Sequence, residues 1–291
     1  MFLKRKNRIR IFPKGKFIDI DSFRLHYLDE GEGEDWIFLH GFLVFSYIWE
    51  ELFRAISKKG LPIRRIAVDL PGCGFSSRNI DFSYSFEGIA QLLIKFIDRV
   101  TDRKPITLVG HSMGGGIATI LTTLSPESIK RLILIDTIGF YFKEPKKAKP
   151  LNLPFLGRYI FKYLYNKTIL RNYFYNDIYY RKESLTEEKL EMIYTLFDER
   201  LSREITYKQY KEIIEKKDDI LDYLKKIKDK EILIIWGEKD RIFPVEKVLE
   251  RVKVELPKAK IEVIEGVGHS PIEEAPKKLV DLFSNYFKKI K

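Results

Sequence analysis

The chain has 291 residues, 45% of them hydrophobic, enough to bury a substantial core as one large domain or one domain with an insertion. Its single cysteine, Cys73, excludes an internal disulfide framework and suits a reducing cytoplasm. The formal net charge is +11, but the 53 Lys and Arg are interleaved with 42 Asp and Glu, the pattern of a solvated, salt-bridged surface rather than a nucleic-acid or lipid-binding face. No apolar segment follows the basic Met1–Phe12, so no signal peptide is expected, and no run of 18 apolar residues could span a membrane. The Lys and Glu content, with only Gln91 and Gln209 as glutamines, leans toward a thermophilic source.

Residues 16–29, KFIDIDSFRLHYLD, alternate around Asp21-Ser22 and predict a β-hairpin, closed by the turn Glu30-Gly31-Glu32-Gly33. Trp36 to Leu39 predicts a short buried strand, followed by His40-Gly41-Phe42. Ser46 to Lys59 has caps and apolar spacing suited to a helix. Ile63 to Val68 predicts another strand, running into the turn-rich Asp69-Leu70-Pro71-Gly72-Cys73-Gly74. Phe86 to Val100 predicts an amphipathic helix with Ile89, Leu92, Leu93, Phe96 and Ile97 on one face. Ile106 to Val109 reads as a buried strand, and Ile117, Ile120, Leu121 and Leu124 predict a helix directly after it. Between them stands Gly110-His111-Ser112-Met113-Gly114, the G-x-S-x-G pattern of a nucleophile elbow. Arg131 to Ile135 is the next strand, ending at Asp136.

There the rhythm stops. From about Ile138 to Asp222 the chain shows helical patches, Leu185–Asp198 and Tyr207–Lys226, set off by Pro145, Pro150 and Pro154, with aromatics dense from Phe155 through Tyr180. Ile232 to Trp236 resumes the strand series, Pro244 to Val254 predicts a helix, Ile261 to Ile264 a last strand and Ile272 to Ile290 a closing helix. This alternation predicts an α/β fold: a mostly parallel sheet with helices on both faces. Residues 1–137 and 223–291 form its core, and a helical insertion at 138–222 lies over the C-terminal ends of the strands.

A serine hydroxyl needs a neighbouring base, itself oriented by an acid. Four histidines permit elimination. His26 lies within the hairpin, His40 precedes a glycine in a tight loop, and His111 is locked beside the serine. His269, in Gly266-Val267-Gly268-His269-Ser270-Pro271 after the last strand, sits where open α/β sheets place their sites and is the base. Asp240, four residues past the strand ending at Trp236, is the preferred acid, and Asp136 at a strand end is its rival. Asp69 and Glu238 read as loop braces and stay minor options. Acyl transfer also needs donors for an oxyanion, for which the amides of Met113 and Phe42 are the candidates.

With these pieces in order the chain resembles the α/β-hydrolase fold superfamily over nearly its whole length. The resemblance rests on Leu39-His40-Gly41-Phe42, Asp69 through Ser76 (DLPGCGFS), Gly110 through Gly115 (GHSMGG), and Trp236 through Asp240 (WGEKD) with Gly268-His269. The order Ser…Asp…His is also the superfamily's own. It implies eight strands, a helical cap between the sixth and seventh, and a hydrolase without cofactor or metal. Dehalogenases and epoxide hydrolases of this fold carry Asp where this chain has Ser112, which argues against both reactions. Many relatives also have a proline before the seventh strand, absent from Lys228-Asp229-Lys230-Glu231-Ile232. The expected function is hydrolysis of small-molecule carboxylic esters with a hydrophobic acyl or aromatic group, through Ser112, His269 and Asp240. Carbon–carbon bond hydrolysis, acyl transfer, or non-catalytic binding on the same fold are the alternatives. Neither nucleic acid nor stable membrane insertion is expected.

Overall fold

The computed structural model describes residues 14–101, 105–141, 146–216 and 219–288; expectations falling on Met1–Phe12, Pro145 and the end of the closing helix lie outside them. Eight strands make one sheet: β1 (Lys16–Ile20), β2 (Phe23–Glu30), β3 (Glu34–Leu39), β4 (Ile63–Val68), β5 (Ile106–His111), β6 (Ile129–Ile135), β7 (Glu231–Gly237) and β8 (Lys260–Ile264). Their order is β1-β2-β4-β3-β5-β6-β7-β8. The β1–β2 and β2–β4 pairs are antiparallel, and every later pair is parallel.

Alternation along the central strands feeds two cores. Leu108, Leu132 and Leu134 join the one beneath α2 (Phe86–Val100) and α3 (Met113–Leu124). Val109, Ile133 and Ile135 join the other, beneath α1 (Glu50–Lys59) and the closing helix. Burying each such side chain contributes about 1.5–3 kcal/mol. A one-residue slip of β6 would send Leu132, Ile133, Leu134 and Ile135 to the wrong faces, so the pattern sets the register.

Between β6 and β7 lie α4 (Pro154–Tyr159), α5 (Lys167–Tyr173), α6 (Glu187–Phe197), α7 (Arg200–Lys216) and α8 (Ile220–Lys226), with π-helical turns at Ile160–Leu164 and Phe174–Ile178. The aromatic residues of α4 to α7 extend the second of these cores, and in them Phe161 stacks on Tyr165 at 5.3 Å. Arg203 braces this segment, pairing with Asp198 at 2.6 Å and donating to the Phe161 carbonyl at 2.8 Å. The other rings of this segment divide: Phe174 and Tyr179 are buried, whereas Phe155, Tyr159, Tyr163, Tyr175 and Tyr180 face outward.

Three expectations on element limits change. The helix expected over Tyr207–Lys226 is two, because α7 starts earlier and α8 packs Ile220, Leu221 and Leu224 into the same core as α3. The closing helix is broken into α10 (Pro271–Glu274) and α11 (Pro276–Lys288), since Pro276 has no N–H to continue the ladder. The helix expected from Ser46 begins as a 3₁₀ turn, Ser46–Trp49, and becomes α-helical at Glu50. After β7, α9 (Val245–Glu255) returns the chain to β8.

Candidate active site

β5 ends at His111 and α3 begins at Met113, so one residue turns strand into helix. That residue, Ser112, has φ 54 and ψ −119, a left-handed conformation costing a non-glycine residue on the order of 1–3 kcal/mol. Its N–H donates to the Ile135 carbonyl at 3.0 Å, and its own carbonyl accepts from Gly115 N–H at 3.0 Å. The turn closes because its flanks lack side chains. A Cβ on Gly110 would stand 2.6 Å from the Gly114 carbonyl oxygen, and one on Gly114 would run into the Leu39 carbonyl.

The parallel order lines up the C-terminal ends of β5 to β8 on one side of the sheet. From the loop after β8, His269 Nε2 comes within 2.9 Å of Ser112 Oγ, and Nδ1–H donates to Asp240 Oδ2 at 2.8 Å. Asp240 stands in the loop after β7, where its Oδ1 accepts the Ile242 and Phe243 amides at 2.7 and 3.0 Å. Asp240 and His269 are buried, while Ser112 keeps partial access to solvent.

Of the acids weighed from sequence, Asp240 faces the His269 ring. Asp136 lies beside it: one oxygen of each carboxyl and a ring nitrogen of His269 fall within 4.8 Å of one another. Glu238 braces the β8 loop through Gly266 N–H at 2.9 Å. Asp69 accepts from the Ser46 and Phe75 amides at 2.7 and 2.8 Å, which makes it a brace of its own loop.

The remaining histidines are occupied elsewhere. His26 donates to Asp69 at 2.8 Å and to the Lys14 carbonyl at 2.6 Å, so both ring nitrogens are donors and the ring is an imidazolium. Burial pulls its pKa down, but the hydrogen bond and charge of Asp69 outweigh that and raise it. His40 donates to the Gly41 carbonyl at 2.8 Å and accepts the Leu70 amide at 2.9 Å. His111 donates from Nε2 to the His269 carbonyl at 2.7 Å, and burial pulls its pKa down to about 3, so it is neutral. Cys73 offers no rival nucleophile, since burial pushes its thiol up to about 11.

The oxyanion candidates flank the serine. Met113 N–H opens α3 and has no carbonyl one turn back in the helix. The Phe42 amide donates to no backbone carbonyl among the described residues. It follows Gly41, where a Cβ would stand 3.1 Å from Ser112 Cβ. The Phe42 ring faces Tyr210 of α7, with centroids 6.4 Å apart.

Sequence reasoning missed what holds the His269 loop. The His269 N–H donates to the Ile178 carbonyl at 2.8 Å, and Glu274 accepts the amides of Gly268, Tyr180 and Arg181 at 3.1, 3.1 and 2.7 Å. Arg181 returns two bonds, to the Gly266 and Glu274 carbonyls at 3.0 and 3.1 Å. Apart from Gly268–Glu274, some 85 to 94 residues separate these partners, so no local pattern announces them.

A family profile described as alpha/beta hydrolase fold matches residues 37–276. Similar proteins include the uncharacterized hydrolase YugF of Bacillus subtilis, 26% identical over 271 residues that cover 92% of this chain and 95% of that protein. Lipase 1 of Psychrobacter immobilis is 26% identical over 272 residues, 90% of this chain and 80% of that one. Among solved structures, a mutant meta-cleavage product hydrolase (CumD) from Pseudomonas fluorescens IP01, complexed with acetates, matches with a TM-score of 0.78 at 24% identity, covering 95% of this chain and 98% of that chain.

Proposed function

The chain belongs to the alpha/beta hydrolase fold family, and from that premise we propose that it cleaves carboxylic esters with a hydrophobic acyl or aromatic group through a serine acyl-enzyme. The observation that carries this reading is the continuous contact Ser112 Oγ–His269–Asp240, at 2.9 and 2.8 Å. His269 takes the proton as Ser112 Oγ attacks the ester carbonyl, while Asp240 holds the ring so that Nε2 faces the serine and stabilises the imidazolium. The Phe42 and Met113 amides stabilise the tetrahedral oxyanion. His269 then protonates the leaving alcohol and activates the water that releases the acid. Residues 138–222 act as the cap, and the contact of Tyr210 from that segment with the Phe42 ring, next to the proposed Phe42 donor, supports a hydrophobic substrate. Among the described residues no helix is long and apolar enough to cross a membrane.

The test is turnover of nitrophenyl esters of increasing acyl length by the wild type and by Ser112→Ala. Wild-type turnover that falls by about 10³-fold or more in the variant is expected. Equal rates would remove Ser112 from the reaction. Silence from both would turn the search to carbon–carbon bond cleavage or acyl transfer.

A further inference from the structure

Behind the triad lies a second carboxyl that the acyl-enzyme cycle leaves unused. Asp136 follows β6, is fully buried, and is held at φ 43, a left-handed conformation uncommon for residues other than glycine. Its N–H donates to the Ile235 carbonyl at 3.0 Å, and its Oδ1 accepts the Gly237 amide at 2.9 Å. Among the described residues its Oδ2 receives no N–H or O–H, although it is out of reach of solvent. Asp240 lies beside it: one carboxyl oxygen of each and a ring nitrogen of His269 fall within 4.8 Å of one another.

Two carboxyls this close in a buried site cannot both be ionised. The donors decide which one keeps the charge. Asp240 receives three, from Ile242, Phe243 and His269, whereas Asp136 receives one. We infer that Asp136 is a positioning residue held in its acid form, its Oδ2–H donated to the Asp240 carboxylate on the side away from His269. Burial and the Asp240 charge push the Asp136 pKa well above the carboxylate range, as this arrangement requires. The other titratable groups whose charge reaches the two carboxyls are His269, Glu274 of α10 and Tyr173 of α5, whose phenol burial keeps neutral. The proton does two things. It supplies the donor that an otherwise orphaned Oδ2 lacks, and it locks the Asp240 plane so that Oδ2 stays on His269 Nδ1–H.

The inference rests on the Ser112–His269–Asp240 reading, and its test separates the two. Asp136→Asn keeps the shape, the acceptor for Gly237 N–H and a donor toward Asp240; Asp136→Ala keeps none of them. Asp136→Ala is expected to lower kcat about tenfold with KM little changed, the loss of one hydrogen bond to a charged group, and Asp136→Asn to recover most of that. At alkaline pH, ionisation of Asp136 breaks its bond to Asp240 and the wild-type rate falls; in Asp136→Asn that fall moves to higher pH. The infrared difference spectrum between wild type and Asp136→Asn at neutral pH is expected to carry a protonated-carboxyl C=O stretch that shifts in D₂O. Equal rates and pH profiles for the Asn and Ala variants, or a carboxylate band alone, would overturn the inference. A larger loss in Asp136→Asn than in Asp240→Asn would also overturn it, making Asp136 the triad acid. If Asp136→Ala does not fold, the infrared band and the Asn pH profile decide without it. Failure of a fluorophosphonate to label wild-type Ser112 would instead sink the serine-hydrolase reading, while the infrared band still reports the Asp136 proton.

Discussion

The carbonyl of Ile178, at the end of the second π-helical turn in the insertion, accepts the amide proton of His269 at 2.8 Å. The insertion between β6 and β7 is therefore bonded to the backbone of the proposed general base. Arg181 and Glu274 reinforce the same junction with bonds in both directions. Removing the guanidinium in Arg181→Ala takes away two charge-assisted bonds, to the carbonyls of Gly266 in the loop and Glu274 of α10, each worth about 1.5–3 kcal/mol. The expected outcome is faster hydrogen exchange across Gly266–Ser270 and a kcat about tenfold lower. An unchanged kcat with the loop loosened would mean that the junction serves stability alone.

His111 acts on the same loop from the sheet side, through Nε2–H to the His269 carbonyl. With its pKa pulled down to about 3 by burial, it stays neutral from acid to alkaline pH and cannot add a titration to the rate profile. His111→Ala is expected to cut kcat about tenfold while leaving the shape of the pH–rate curve between about pH 5 and 9 as it was. A changed profile would show that His111 exchanges protons with the site.

How much of this was legible beforehand depended on the range of the forces involved. The Ile63–Val68 strand and Phe86–Val100 helix were readable to the residue, because periodicity is local. Ser112 and His269 could be placed at strand ends from the elbow pattern and the glycine loop. Whether Asp136 or Asp240 faces His269 could not be read, since the two follow neighbouring parallel strands and only packing turns one toward the ring. The His111 clamp was equally hidden, its acceptor lying 158 residues away. The break at Pro276 carried a local signal that the hydrophobic period of the closing helix masked.

The imidazolium of His26 and the carboxylate of Asp69 form a buried pair far from the reacting atoms in function, though Asp69 also ties Ser46 and Phe75. The sign follows from the shifts. His26 is raised above its ordinary value near 6.5, so its contribution is full below that value and is lost as pH rises through the folded pKa. Asp69 is pulled down: burial works against this, but His26, with the Ser46 amide, outweighs it. Its contribution is full above about pH 4 and is lost as pH falls through the folded pKa. Asp69→Asn is expected to cost about 3 kcal/mol near pH 6, and the gap in melting temperature should narrow at alkaline pH. A gap constant from pH 5 to 10 would mean that the backbone bonds of Asp69, not the ion pair, supply the stability.

Gly41 separates the geometry of the proposed oxyanion site from general stability. Its backbone lies outside the left-handed region, so alanine brings no conformational strain. It brings a methyl group 3.0 Å from His111 Nδ1 and 3.1 Å from Ser112 Cβ, closer than side chains normally approach, in a site whose neighbours are packed. Relief must come from shifting either the elbow or the adjoining Phe42 amide. A misplaced oxyanion donor costs about 10²–10³-fold in kcat, so Gly41→Ala is expected to lose about 100-fold with little change in KM. Gly60 supplies the control: its Cβ would meet open space, and at φ 68 alanine costs about 1 kcal/mol of stability without touching the rate. If Gly41→Ala kept full activity, the Phe42 amide would not be the second donor, and ester turnover would depend on a different amide beside Ser112.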